Sequence, residues 1–286
     1  MVLKERIIMT IQHTPASDAR IVTERMTGAQ SSVEVIEYNQ LAGSDNLEVA
    51  AKLFYASQVG MRLKQIRIIL QNGSAQLETG VMQFMKGNIE ADTTLGGIGG
   101  LAKKMLTNAL TQETTFRPRY RGVGDIYCEP TFGHFMLVSL ANEDAIIDKG
   151  LFYASEGSVD VSVAMQKNLS SAMLGGEGLF QTKIAGTGWA VMNIPVPASE
   201  VIRYTLNNEK LSVDGTIALL RKGNIEYRVE KSNKSLLGSA ISGEGLLQTF
   251  TGTGEVWLAP TQSFYTRMRA ESLQNLMRTT GTSHNK

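Results

Sequence analysis

Apolar and polar residues alternate along this chain in short runs punctuated by glycine, a pattern that predicts strands more than helices. Val33 to Tyr38 (VEVIEY) alternates as a half-buried strand does. Leu47 to Tyr55 (LEVAAKLFY) fits either a short helix or a strand. From Met61 onward three stretches superimpose on one another. Leu70, Asn72, Gly87, Ile89 and Glu90 recur at the same spacing as Leu140, Asn142, Gly157, Val159 and Asp160, and again as Leu206, Asn208, Gly223, Ile225 and Glu226. Gly87-Asn88, Gly157-Ser158 and Gly223-Asn224 lie between apolar runs, and Asn72-Gly73 is of the same type, so all four are predicted as tight hairpin turns. Glu78, Asp148 and Asp214 share a register position beside Gly80, Gly150 and Gly215, which reads as a solvated turn.

The second half of the pattern is a longer repeat. Gly175 to Met192 (GGEGLFQTKIAGTGWAVM) recurs from Gly243 to Ala259 (GEGLLQTFTGTGEVWLA), with a degenerate copy from Gln112 to Pro130. Each copy carries Gly-x-Gly ahead of an apolar run that Pro130, Pro195 or Pro260 closes. A phosphate-binding glycine loop follows a strand and opens a helix. Here the motif opens a strand, where glycine marks a bend or a close backbone approach. Helical periodicity is confined to the inserts and the end of the chain. Ile98 to Leu110 (IGGLAKKMLTNAL) reads as a short amphipathic helix packed on the body, with a membrane-surface role as the lesser reading, and the tail beyond Pro260 as a terminal helix.

The resulting fold class is all-β. It divides into an N-terminal extension of mixed strand and helix (1–60), β units at 61–130, 131–197 and 198–262, and a helical tail (263–286). Units of that size are marginal alone and must pack together. Three of them around an axis would make a covalent pseudo-trimer whose closure protects strand edges.

Composition narrows the function classes. A net charge of +1 over 286 residues argues against nucleic acid held by bulk charge. One cysteine, Cys128, forms no internal disulfide, and no apolar run is long enough to span a membrane, so the expectation is a cytoplasmic protein. Candidate chemistry is sparse. Cys128 and His134 are near in sequence, but a nucleophilic pair needs spatial adjacency and an orienting third group. His13, His134 and His284 are scattered without zinc spacing, and no metal or cofactor site emerges. Glu113, Glu177 and Glu244 fall at one place in each unit, forming either a ligand or ion ring around an axis or three turn caps. Arg117, Arg119 and Arg121 alternate onto one strand face that suits an anion, a lipid head group or RNA. Gln181, Lys183 and Ala185 occupy the equivalent places in the next unit, which favours a solvated face with carboxylate partners.

The paired GGEGLFQTKIAGTG and GEGLLQTFTGTG, with GVMQFMKGNIEAD and GGLAKKML upstream, resemble the mitochondrial-biogenesis family named for altered inheritance of mitochondria. The resemblance implies three tandem β-sandwich units similar to the tryptophan RNA-binding attenuation protein, a short double-stranded β-helix, and it supplies no agreed catalytic residues. Gln112-Glu113-Thr114 departs from Gly-Glu-Gly, and residues 1–60 lie outside the resemblance. The expected function is therefore a non-enzymatic scaffold or interaction protein that meets a protein partner or further copies of itself. The alternative is a small-ligand-binding module with sites between the units, followed by anion, lipid or RNA binding through the arginines. An exposed apolar patch would mark the first, and a repeated polar set facing a cleft the second.

Overall fold

The computed structural model describes residues 20–92, 117–165, 180–231 and 246–270. Among these described residues twelve strands join in one antiparallel sheet. An N-terminal hairpin, β1 (Arg20–Thr27) and β2 (Ser31–Tyr38), is followed by helix α1 (Leu47–Gln58). Then come β3 (Leu63–Leu77), β4 (Met82–Asp92) and β5 (Arg119–Cys128). The next set is β6 (His134–Ile147), β7 (Phe152–Glu156), β8 (Val159–Met165) and β9 (Phe180–Ile194). The last is β10 (Ile202–Asp214), β11 (Ala218–Lys231) and β12 (Leu246–Leu258), with helix α2 (Gln262–Ala270) after it. The all-β expectation is met, and Leu47 to Tyr55 resolves as helix. Asn46 caps α1 by accepting from the Val49 N–H at 2.9 Å.

Three expected turns lie elsewhere. Gly87-Asn88 and Gly223-Asn224 sit inside β4 and β11, and Gly157-Ser158 separates β7 from β8, which both pair with β9. None of the three is a hairpin turn. Asn72-Gly73 lies within β3, where Asn72 takes φ +61° at a bulge. Asn142 and Asn208 do the same at φ +56°, at register shifts in β6 and β10. Asparagine tolerates this left-handed backbone better than other residues with a side chain. The chain instead reverses after Glu78, Asp148 and Asp214, beside Gly80, Gly150 and Gly215.

Gly-x-Gly also lies mid-strand, away from the strand starts. In β5, Gly122 and Gly124 have φ of +142° and +147°, and a Cβ on Gly124 would sit 2.1 Å from the carbonyl oxygen of Lys86. Two backbones touch there, and only glycine fits.

The bulges redirect strands. Along one edge, β3 pairs with β2 from Leu63 to Leu70 and then, beyond Asn72, with β7 from Ala75 to Leu77. Likewise β6, beyond Asn142, pairs with β11 from Ala145 to Ile147. These two junctions join the strand sets, and the apolar core runs through them. Ile68, Leu70 and Leu77 pack with Tyr153, Ala154 and Trp189. Ile147 and Ile184 pack with Leu219, Leu220 and Trp257.

The N-terminal hairpin is built into this body. Val33, Glu34, Val35 and Ile36 are all buried in β2. The Glu34 carboxylate pairs with Arg25 and, at 3.3 Å, with Arg67, which also meets Asp125 at 3.1 Å. Ser31 Oγ donates to the buried Glu156 carboxylate at 3.0 Å and accepts from Trp189 Nε1 at 3.0 Å. Cys128 is fully buried at the end of β5, and burial pushes its thiol up to about 12.

Two outcomes are expected. Gly124→Ala should destabilise the protein by ~3 kcal/mol, from positive φ and the Lys86 carbonyl together. Gly215→Ala, at φ +75° with nothing within 4 Å of its Cβ, should cost only about 1 kcal/mol. Equal urea midpoints for the two variants would refute the backbone-contact argument. Secondly, Cys128 should resist a thiol reagent at neutral pH in the native protein and react fully once unfolded; rapid native labelling would contradict its burial.

Candidate functional site

The sequence-derived candidates separate in space. Glu113, Glu177 and Glu244 lie outside the described residues, as does the expected helix at 98–110. Arg117 is not part of a solvated strip. Its Nε meets Glu78 Oε2 at 3.0 Å and its guanidinium lies over the Phe152 ring at 4.8 Å, so it braces the junction between β3 and β7. Arg119 and Arg121 do share a face of β5, with Tyr120 buried on the other, and Arg121 is exposed. The arginine series thus loses a member to packing before any anion is met.

Cys128 and His134 do not form a pair in the electrostatic sense. Burial raises the Cys128 thiol pKa, with a hydrogen bond to Tyr153 opposing and Glu129 adding to the rise, while burial and then Lys64 lower that of His134, with Glu200 opposing. Among the described residues no group of three or more His, Cys, Asp and Glu side chains converges on a metal-sized site.

Turn acids also behave differently from a solvated series. Glu78 holds Arg117, and Asp148 accepts from Gln181 Nε2 at 3.4 Å beside the buried Arg221; burial raises the Asp148 pKa, with the Lys149 backbone, Gln181 and Arg221 opposing. Arg221 in turn donates to Gln181 at 2.7 Å and covers the Tyr227 ring at 4.8 Å. Both acids are junction residues; Asp214 alone of the three is exposed. The hollow at the second junction, lined by Asp148, Gln181, Arg221 and Phe250, measures about 10 Å³. That is room for no more than a water.

Among the described residues the most exposed large apolar side chains lie in and just after α1, which the sequence left ambiguous. No α1 side chain is buried. Leu47 is 89 %, Phe54 57 %, Tyr55 69 % and Val59 74 % exposed, with Met61 close behind them. Successive residues turn by about 100° on a helix, which places Leu47, Phe54 and Tyr55 on one outer face. Phe54 stands at the edge of that face, where a cleft of about 310 Å³ opens between α1 and the body, lined also by Tyr38, Leu53, Met61, Leu63 and Phe132. Its polar edge is supplied by Asn39, Gln40, Ser44 and Arg62. The Ser44-Asp45-Asn46 run ahead of Leu47 was the signal for this helix, since such residues favour helix N-termini. Its exposure had no signal of its own, because apolar residues all round a helix ordinarily mean burial.

Comparison with known proteins bears on the β body. The family model described as mitochondrial biogenesis AIM24 matches residues 55–261. An uncharacterized protein of Streptococcus pyogenes is 25% identical over 207 residues, 69% of this chain and 82% of that one. A crystal structure of a Streptococcus pyogenes protein superimposes with a TM-score of 0.53 at 24% identity, covering 74% of this chain and 95% of the other. The match begins inside α1 and leaves β1 and β2 outside it. With more than half of its length matched by that model, the chain belongs to the mitochondrial biogenesis AIM24 family.

Proposed function

We propose that this chain is a non-enzymatic scaffold or interaction protein, and that the outer face of α1 is where it meets a protein partner. The observation that carries the reading is the exposure of Leu47, Phe54 and Tyr55 on a capped helix that buries nothing of its own. Contiguous apolar surface of this kind marks binding sites. Aromatic anchors such as Phe54 and Tyr55 supply most of the energy in interfaces, about 1.5–3 kcal/mol for a fully buried apolar side chain.

The body that presents this helix is read as three tandem β units, related by a pseudo-threefold arrangement and similar to the tryptophan RNA-binding attenuation protein. The support is the recurrence of a positive-φ asparagine in β3, β6 and β10, each opposite a Gly-x-Gly strand. The alternative of a small ligand between units is opposed by the filled second junction. If a ligand exists, the cleft beneath α1 is where it fits, at the lower end of the size of small-molecule sites.

The test is native mass spectrometry of the protein gently purified from its own cells, beside a Phe54→Glu/Tyr55→Lys variant. Both positions are exposed, so melting temperature should stay within about 2 °C of the parent. The parent should carry a protein partner in integral stoichiometry and the variant should lose it. Retention of the partner by the variant would refute the role of α1. A small molecule in place of a protein would transfer the function to the cleft.

A further inference from the structure

Helix α1 faces the body without packing on it. Ala50, Leu53, Ala56 and Ser57 fall within about 120° of the helix circumference and line the cleft. Ala50, Leu53 and Ala56 are nevertheless only half-buried, and no α1 side chain is buried outright. An apolar stripe of this kind ordinarily closes against a sheet or another helix. Here a layer is missing between helix and strands, and the cleft of about 310 Å³ is its measure.

The opposite wall is held from behind. Tyr38, at the end of β2, donates its phenolic O–H to the buried Gln65 at 2.8 Å, and Gln65 donates in turn to the Cys128 carbonyl at 2.8 Å. Phe132 follows Thr131, whose backbone exchanges two hydrogen bonds with Lys64, at 2.7 and 2.8 Å. Both rings are thus fixed by the sheet, and a wall formed in advance costs a ligand less ordering on binding.

The lining selects one ligand chemistry. Leu53, Met61, Leu63 and the two rings offer apolar surface, and Arg62 is the only charged side chain among the lining residues. Among the described residues its guanidinium bonds only to the Met61 carbonyl, at a long 3.4 Å. Gln40 adds an amide donor at the polar edge. The arginine fork matches a planar carboxylate, and one positive charge balances one negative. A phosphate monoester would bring further negative charge that no second cation of the cleft meets. At roughly 30 Å³ per non-hydrogen atom, the share of one water in the liquid, the cleft holds about ten such atoms.

We propose that the cleft binds a monomeric carboxylate amphiphile, a free acid with an acyl body of about ten carbons. Its head meets Arg62 and Gln40 at the edge, and its chain lies between Leu53 and the rings of Tyr38 and Phe132. The chain supplies the missing layer, so binding docks α1 onto the sheet. Phe54 belongs both to the lining and to the exposed face of α1, so the ligand also sets that face. The site goes beyond the partner surface proposed for α1 and does not depend on it. Binding is read on the isolated chain with no partner present, so either reading can fail alone.

The test is a calorimetric titration of the full chain with decanoate, beside one with decanol. Decanoate should saturate at one equivalent with a Kd of about 100 µM or tighter, and decanol should bind roughly ten-fold more weakly. Arg62→Gln should weaken decanoate about ten-fold and leave decanol unchanged. Ala50→Trp, which puts a ring into the cleft, should abolish both. On the unaltered chain, decanoate should slow hydrogen exchange of the α1 amides and leave that of β6 and β9 as it was. Absence of saturable binding overturns the proposal, as do equal affinities for acid and alcohol, or binding that survives Ala50→Trp. Recovery of the chain on anionic phospholipid vesicles while decanoate fails to bind would give the cleft to a membrane surface and overturn it equally.

Discussion

Everything in this sheet depends on places where two backbones touch without side chains between them. At Gly124 the nearest neighbour of a Cβ would be the Lys86 carbonyl oxygen, and at Gly254 it would be the Lys222 carbonyl oxygen, each at 2.1 Å. Opposite the first glycine of each Gly-x-Gly, the partner strand slips register at an asparagine. A bulge bends its strand and increases its twist. That bend lets one strand serve two neighbours along a single edge: β3 leaves β2 and meets β7 after Asn72. Without it the strand sets would be separate small sheets, each too small to bury a core of its own.

Once strands are redirected, the junctions need polar partners as well as apolar ones. Glu78 with Arg117 and Phe152, and Asp148 with Gln181, Arg221 and Tyr227, place an acidic turn, a guanidinium and an aromatic ring at each seam. A half-buried ion pair adds little net stability, yet breaking it leaves a charge without its partner. These groups therefore specify which edges meet. At the second seam they leave a hollow of only about 10 Å³, and the larger cleft lies at the periphery. There the N-terminal hairpin is bound into the core through Glu34 and Glu156, while the helix after it keeps its apolar face in solvent.

The all-β class, the strand at Val33 to Tyr38, the terminal helix and the special status of Gly-x-Gly were legible in the chain itself. Those features rest on local chemistry: alternation, missing Cβ atoms, and proline at strand ends. The hairpin turns assigned to Gly87-Asn88 and Gly223-Asn224 were not legible, because a glycine needed for close approach and a glycine needed for a turn look alike in sequence. Arg117 belonged on a solvated strip by alternation, but Glu78, in the turn after β3, and Phe152 of β7 come to it from elsewhere in the chain.

The string LFYAS makes the division plain. From Leu53 it forms part of α1, with Phe54 and Tyr55 exposed; from Leu151 it leads into β7, where Phe152 and Tyr153 are buried. By itself the sequence determined the period, the places where backbone must bend and the residue types available to a core. Tertiary structure decided which copy became strand and which helix, and which apolar faces were covered. The reason is physical: five residues carry propensities of tenths of a kcal/mol each, whereas pairing with β3 and β9 and burying two aromatic rings contributes several.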